Sequence, residues 1–251
     1  MLQYSDTPSL PYSVTLGLSG KRGSCRLAGV NRFFCLLLVV VSLRPALAED
    51  SSKVTALIKE TQKLTTDSTS LVLAWWIPRQ YWEESTKNNP AINDILKSDL
   101  LKSVQDYTVI GVVDAKKEGL GGLSFVPVDE ILKTATLTDS AGKTVLPIAE
   151  SDLNSSVQNL LSTMKPLFAN LMGRIGQNMF FLVFPGKDGE GNKVADPLGE
   201  GHLVFSENGH SFSWRLPLAS LLPEKVCPKC GEHLPGSYKF CPYDGTKLQT
   251  D

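Results

Sequence analysis

Apolar positions along the chain follow two spacings, one of three and four residues that marks helices and one of unbroken or alternating runs that marks strands. Val54, Leu57, Ile58 and Leu64 predict a helix from about Ser51 to Thr65, with Ser51 or Ser52 as its cap. Ser70 to Ile77 reads as a strand, after which Pro78 opens a short helix carrying Tyr81, Trp82, Glu83 and Glu84. Asn89-Pro90 then has the form of a cap and first helical position, leading Ile92, Leu96, Leu100 and Val104 along one face. Tyr107 to Asp114 is rich in β-branched residues and predicts a central strand. Gly121 to Val126 suggests another.

Farther on, residues 134–139 and 143–148 predict a hairpin around Ser140-Ala141-Gly142. The longest helical stripe runs from Ser151 to about Ile175 through Val157, Leu161, Met164, Phe168 and Met172, with Pro166 expected to kink or divide it. Met179 to Phe184 is apolar throughout and predicts a strand buried on both faces. Leu203 to Glu207 and His210 to Trp214 flank Asn208-Gly209, whose residue types suit the positive φ of a two-residue turn. That register sets Phe205 opposite Phe212 and Leu203 opposite Trp214.

Helices and strands do not alternate one for one, and several neighbouring strands are hairpins. The pattern predicts an α+β domain over residues 49–222, a largely antiparallel sheet with helices packed on one side. A small module, residues 223–251, follows Pro217 and Pro223.

Residues 1–48 read differently. Lys21, Arg22, Arg26 and Arg32 precede the apolar run Phe33 to Leu43, then Arg44-Pro45 and Ala46-Leu47-Ala48. A basic start, a short apolar core and an A-x-A ending make up a secretory signal peptide, with cleavage expected after Ala48. The run is too short to span a bilayer, which takes about 20 residues, and Arg32-Phe33-Phe34 before Cys35 is no lipobox. A periplasmic or secreted protein is expected, with no stable membrane span after cleavage. The mature 203 residues carry 20 basic and 25 acidic side chains, a formal charge of −5. No basic stripe remains, which argues against nucleic acid as a partner.

The candidate chemistry lies at the C-terminus, in Cys227-Pro228-Lys229-Cys230-Gly231 and Phe240-Cys241-Pro242-Tyr243-Asp244-Gly245. These are two Cys-Pro turns in which Pro and Gly allow a tight knuckle whose amides point at thiolates. Cys227, Cys230 and Cys241 suit a tetrahedral metal site with Asp244 as fourth donor, and His233 is the rival for that place. Exported cysteines more often form disulfides, so a Cys227–Cys230 bridge with a spare thiol, and a redox CxxC, stand beside the metal reading. The segment from about Val226 to Leu248, under a tenth of the chain, resembles the zinc-ribbon tails of many bacterial multidomain proteins (CPxCG, then FCP-x-DGT-x-L). The resemblance implies a small module stapled by Zn2+, an adaptor or interaction element with no reaction of its own.

Elsewhere, Trp75, Trp76, Tyr81 and Trp82 could make an aromatic platform, although core packing is the commoner fate of such a cluster. Asp188 to Asn192 opens like a calcium loop but has Lys193 where glycine is required. Glu207 and His210 face each other across the last turn as an expected exposed pair. No serine of the mature chain sits in a nucleophile elbow, and none of the three histidines has the neighbours that a triad or a metallohydrolase helix needs. The expected protein is a non-enzymatic envelope protein that binds a protein or cell-envelope partner. The alternatives are an envelope enzyme built on carboxylates such as Glu83, Glu84 and Asp114, and a thiol redox or metal sensor using Cys227 and Cys230.

Overall fold

A computed structural model describes residues 50–87 and 93–249. The expected signal peptide and its cleavage site lie outside the described residues, as do Asn89, Pro90 and Ile92. The domain is α+β and its sheets are antiparallel, as the pattern predicted. It holds two sheets where one was expected.

The larger sheet has five strands: β1 (Gln62–Thr66), β2 (Ser70–Ile77), β3 (Tyr107–Lys117), β4 (Leu123–Phe125) and β7 (Phe180–Pro185). β3 is its centre, pairing with β2 on one side and with β4 and β7 on the other. The smaller sheet runs β6 (Thr144–Val145), β5 (Thr136–Thr138), β8 (Gly201–Glu207) and β9 (His210–Leu216). Val72, Ala74 and Trp76 of β2 and Ile110 and Val112 of β3 pack against Leu203, Phe205, Phe212 and Trp214 of the smaller sheet. The opposite face of β2 and β3 (Trp75, Ile77, Val109) packs on helices through Trp82, Val104 and Met164. A strand covered on both faces must be apolar at every position, which is why β2, β3 and β7 read as unbroken runs. β8 and β9 bury one face and therefore alternate. Each fully buried large apolar side chain contributes roughly 1.5–3 kcal/mol, so this two-sided central sheet dominates the stability.

The helices are α1 (Asp50–Thr61), α2 (Arg79–Thr86), α3 (Asp94–Val104), α4 (Val128–Thr134), α5 (Ser155–Met172) and α6 (Arg174–Gln177). Several depart from the sequence reading. α1 begins at Asp50, so Ser51 and Ser52 lie inside it, and it stops at Thr61, so Leu64 lies on β1 rather than on a helix. The Thr61 hydroxyl donates to Leu57 O (2.7 Å) and accepts from Trp75 Nε1 (3.2 Å), while Thr61 O accepts from Trp214 Nε1 (2.7 Å). Two core tryptophans therefore converge on the residue where the helix ends. α3 is capped by Asn93, whose Oδ1 accepts from Leu96 N (2.9 Å). Pro166 lies inside α5, which runs undivided to Met172, and Gly173, at φ 57°, separates it from α6. Only part of the α5 stripe packs. Val157 and Met164 are buried, whereas Leu167 and Leu171 are more than half exposed.

Both expected hairpins form; the first pairs Leu137 with Val145, and the last has the expected register, Phe205 opposite Phe212 and Leu203 opposite Trp214. Asn208 and Gly209 take φ 43° and 80°, as the turn requires. After β9, the Glu60 carboxylate accepts from Ala219 N (2.6 Å), Ser220 N (2.9 Å) and Ser220 Oγ (2.6 Å), holding the chain to α1 before it enters the C-terminal segment.

Candidate metal centre

The C-terminal segment contains two short strands, β10 (Lys225–Val226) and β11 (His233–Leu234), paired antiparallel around the first Cys-Pro turn. The two turns repeat one hydrogen-bond pattern. Gly231 N donates to Cys227 O and Gly245 N donates to Cys241 O, both at 2.9 Å. Cys227 N donates to Glu232 O (2.9 Å) and Cys241 N to Thr246 O (2.8 Å). The flanking pairs are Val226 with His233 and Phe240 with Lys247. Gly231 and Gly245 adopt φ 74° and 72°, a conformation that costs any residue with a Cβ.

Donor atoms of Cys227, Cys230, Cys241 and Asp244 all lie within 4.8 Å of one another. Cys230 Sγ is 3.7 Å from Cys241 Sγ, and Cys227 Sγ is 3.5 Å from Asp244 Oδ2. A tetrahedral ion with metal–sulfur bonds of about 2.3 Å and metal–oxygen bonds of about 2.0 Å has edges of about 3.75 Å between sulfurs and about 3.5 Å between sulfur and oxygen. The two measured edges match that polyhedron. The donor set and its spacing therefore fit a metal ion. All three described cysteines are free, Cys227 and Cys241 buried and Cys230 exposed. His233 does not join the cluster; its Nδ1 lies 3.5 Å from Glu224 Oε2 on an exposed side chain.

Electrostatics follow the same pattern. The Cys227 thiol is shifted down, first by the backbone N–H of Cys230 and then by that of Lys229, against desolvation. Asp244 is held well below the ordinary carboxylate range by the Thr246 backbone N–H (2.9 Å) and side chain. Cys230 is pushed up to about 12: the Glu232 N–H pulls it down, but its hydrogen bonds to Cys227 and Cys241, desolvation and the Cys227 charge outweigh that pull. Two negative charges in a space this small oppose a third, and a divalent cation removes that opposition. Around the donors the buried residues are Cys227, Leu234, Cys241 and Leu248. That is a very small apolar core for a segment of this length.

The other candidates separate. Trp75, Trp76 and Trp82 are buried, with Trp75 edge-on to Tyr81 and Phe168, so the aromatics are core and not a platform. Asp188 pairs with Lys143 (3.0 Å) and accepts from Glu190 N and Asn192 N, an ordinary Asx turn in place of a calcium loop. Glu83 pairs with Arg79 (2.8 Å) and Glu84 with Lys87 (3.7 Å) on α2, while Asp114 faces the smaller sheet, so these carboxylates do not converge. The expected exposed pair of Glu207 and His210 is corrected too. Glu207 is 1% exposed and His210 half-buried. The alternation Leu203, Phe205, Glu207 carried that information, because it places all three on the inward face. No helix among the described residues is long and apolar enough to cross a membrane.

No protein-family model, curated protein or solved structure matches the chain.

Proposed function

We propose that this is an exported envelope protein in which residues 223–251 form a zinc-stapled interaction module behind a non-enzymatic α+β domain. The observation that carries the reading is the four-donor cluster on two matched knuckles. Cys227, Cys230, Cys241 and Asp244 hold the ion, which supplies a cross-link and two positive charges to a segment whose own apolar core is too small to fold it. Zinc is favoured over harder cations because three of the four donors are thiols.

Exposed aromatic groups support the interaction role. Tyr238, Phe240 and Tyr243 are 43%, 57% and 72% exposed, all within the module. Side chains of this kind supply the anchors of protein interfaces. The partner is a protein or another envelope component. Export rests on the basic start, apolar run and A-x-A ending of residues 21–48.

A second reading, a thiol sensor, is favoured by one observation: Cys230 is exposed and 3.7 Å from Cys241. One experiment separates the two. The mature protein, purified natively from the envelope, is assayed for metal and for free thiols. About one zinc per chain, with thiols protected until a chelator is added, supports the staple. A metal-free protein whose thiols cycle reversibly with a disulfide supports the sensor. An N-terminus at Glu49 supports export, and an uncut chain recovered from the cytoplasm contradicts it.

A further inference from the structure

Glu207 ends β8 on its inward face, in line with Leu203 and Phe205. Its side chain is 1% exposed, and neither carboxylate oxygen has a hydrogen-bond partner. Asp114 of β3, 6% exposed, is near enough for its charge to act on Glu207. The adjoining turn is tied down on two sides. Asn208 Nδ2 donates to Asp114 Oδ2 (2.9 Å), Asn208 N donates to Thr134 Oγ1 (2.9 Å), and Thr134 Oγ1 donates to Asn208 Oδ1 (3.0 Å). His210 lies opposite on β9, and β5 brings no titratable group. The charged residues of α4 (Asp129, Glu130, Lys133) and Lys116 of β3 are exposed to solvent.

A charged carboxylate with no partner is unstable in such a place, and a second buried carboxylate nearby makes it more so. A neutral carboxyl group is tolerable. We propose that a proton on Glu207 latches the Asn208-Gly209 tip onto β3 and α4, and that its loss releases the tip. Desolvation first, and the Asp114 charge second, push Glu207 up to about 7. The closed tip binds the proton more tightly than the open tip, so the latch is complete below the ordinary carboxylate range. Opening then grows about tenfold per pH unit up to about pH 7, where it levels. The device is independent of the metal centre and adds a pH-responsive element to the domain.

The test is a pH titration of the full chain followed at the Glu207 carboxyl carbon by NMR, with amide-exchange protection read at residues 207–211. The latch predicts a carboxyl midpoint raised above the ordinary Glu range, and protection that falls as pH rises through it. Glu207→Gln, neutral at every pH, abolishes the pH dependence of protection, and Asp114→Asn moves the wild-type midpoint to lower pH. A wild-type midpoint in the ordinary Glu range, or a Glu207→Gln profile parallel to wild type, overturns the proposal. The carboxyl titration needs no variant, so a midpoint in the ordinary Glu range overturns the latch even if a substitution prevents folding.

Discussion

Asp244 stands in the second knuckle where Cys230 stands in the first: each lies three residues after its cysteine and one before a glycine at positive φ. The backbone therefore treats the two positions alike, and only the donor atom differs. Because Asp244 Oδ2 sits 3.5 Å from Cys227 Sγ, the substitution keeps the donor in place and changes its hardness.

Asp244→Cys should accordingly bind zinc more tightly, by about tenfold or more, since it adds a soft donor to a backbone already shaped for one. Asp244→Ala should weaken binding and leave a water or nothing in the fourth place. Competition with a chromogenic chelator measures both. Equal affinity in all three proteins would remove Asp244 from the site.

Cys230→Ser, or chelation of the wild type, should unfold residues 226–248 while the melting of the α+β domain stays unchanged. The module's buried residues are few and lie around the donors themselves, so under the zinc-staple proposal the ion is expected to supply most of its folding energy. Differential scanning calorimetry combined with limited proteolysis reads the two parts separately. Collapse of the larger domain in the same variant would show that the two do not fold independently.

Acidification should also release the ion. Protons compete for the thiolates, so affinity falls as pH falls. A zinc-sensitive dye followed from neutral to acidic pH gives the release curve, and release that rises with pH would contradict the ligand set.

Much of this architecture was legible because each buried surface leaves its own period in the sequence. The last hairpin kept its register, since a one-residue slip would turn Phe205 and Trp214 outward. The knuckles were legible because Cys, Pro and Gly are local signals. What failed depended on tertiary partners. Leu64 continued a helical spacing, but α1 ends where Thr61 meets Trp75 and Trp214, two residues far off in sequence. The second sheet was invisible as a separate layer because alternation shows which face is inward without showing what covers it. Glu207 was read as a surface residue from its type, although its position in the alternation said otherwise.

Thr61→Val tests that helix-ending junction. It removes the hydroxyl that serves Trp75 Nε1 and Leu57 O in a buried place, leaving the indole N–H without its acceptor. A loss of about 1–3 kcal/mol is expected, seen as a lower urea midpoint with an unchanged slope. No change in midpoint would mean that the Trp75 contact contributes nothing.

Gly209→Ala places a Cβ at φ 80° in the last hairpin and should cost about 1–2 kcal/mol. Thermal unfolding monitored by tryptophan fluorescence follows it. A variant as stable as wild type would argue against the two-residue turn.

X-ray absorption at the zinc edge on the natively purified protein reads the proposed donor set itself. Three sulfurs at about 2.3 Å and one lighter donor at about 2.0 Å are expected around the ion. A shell of light atoms only, or a protein that carries no zinc, would contradict it.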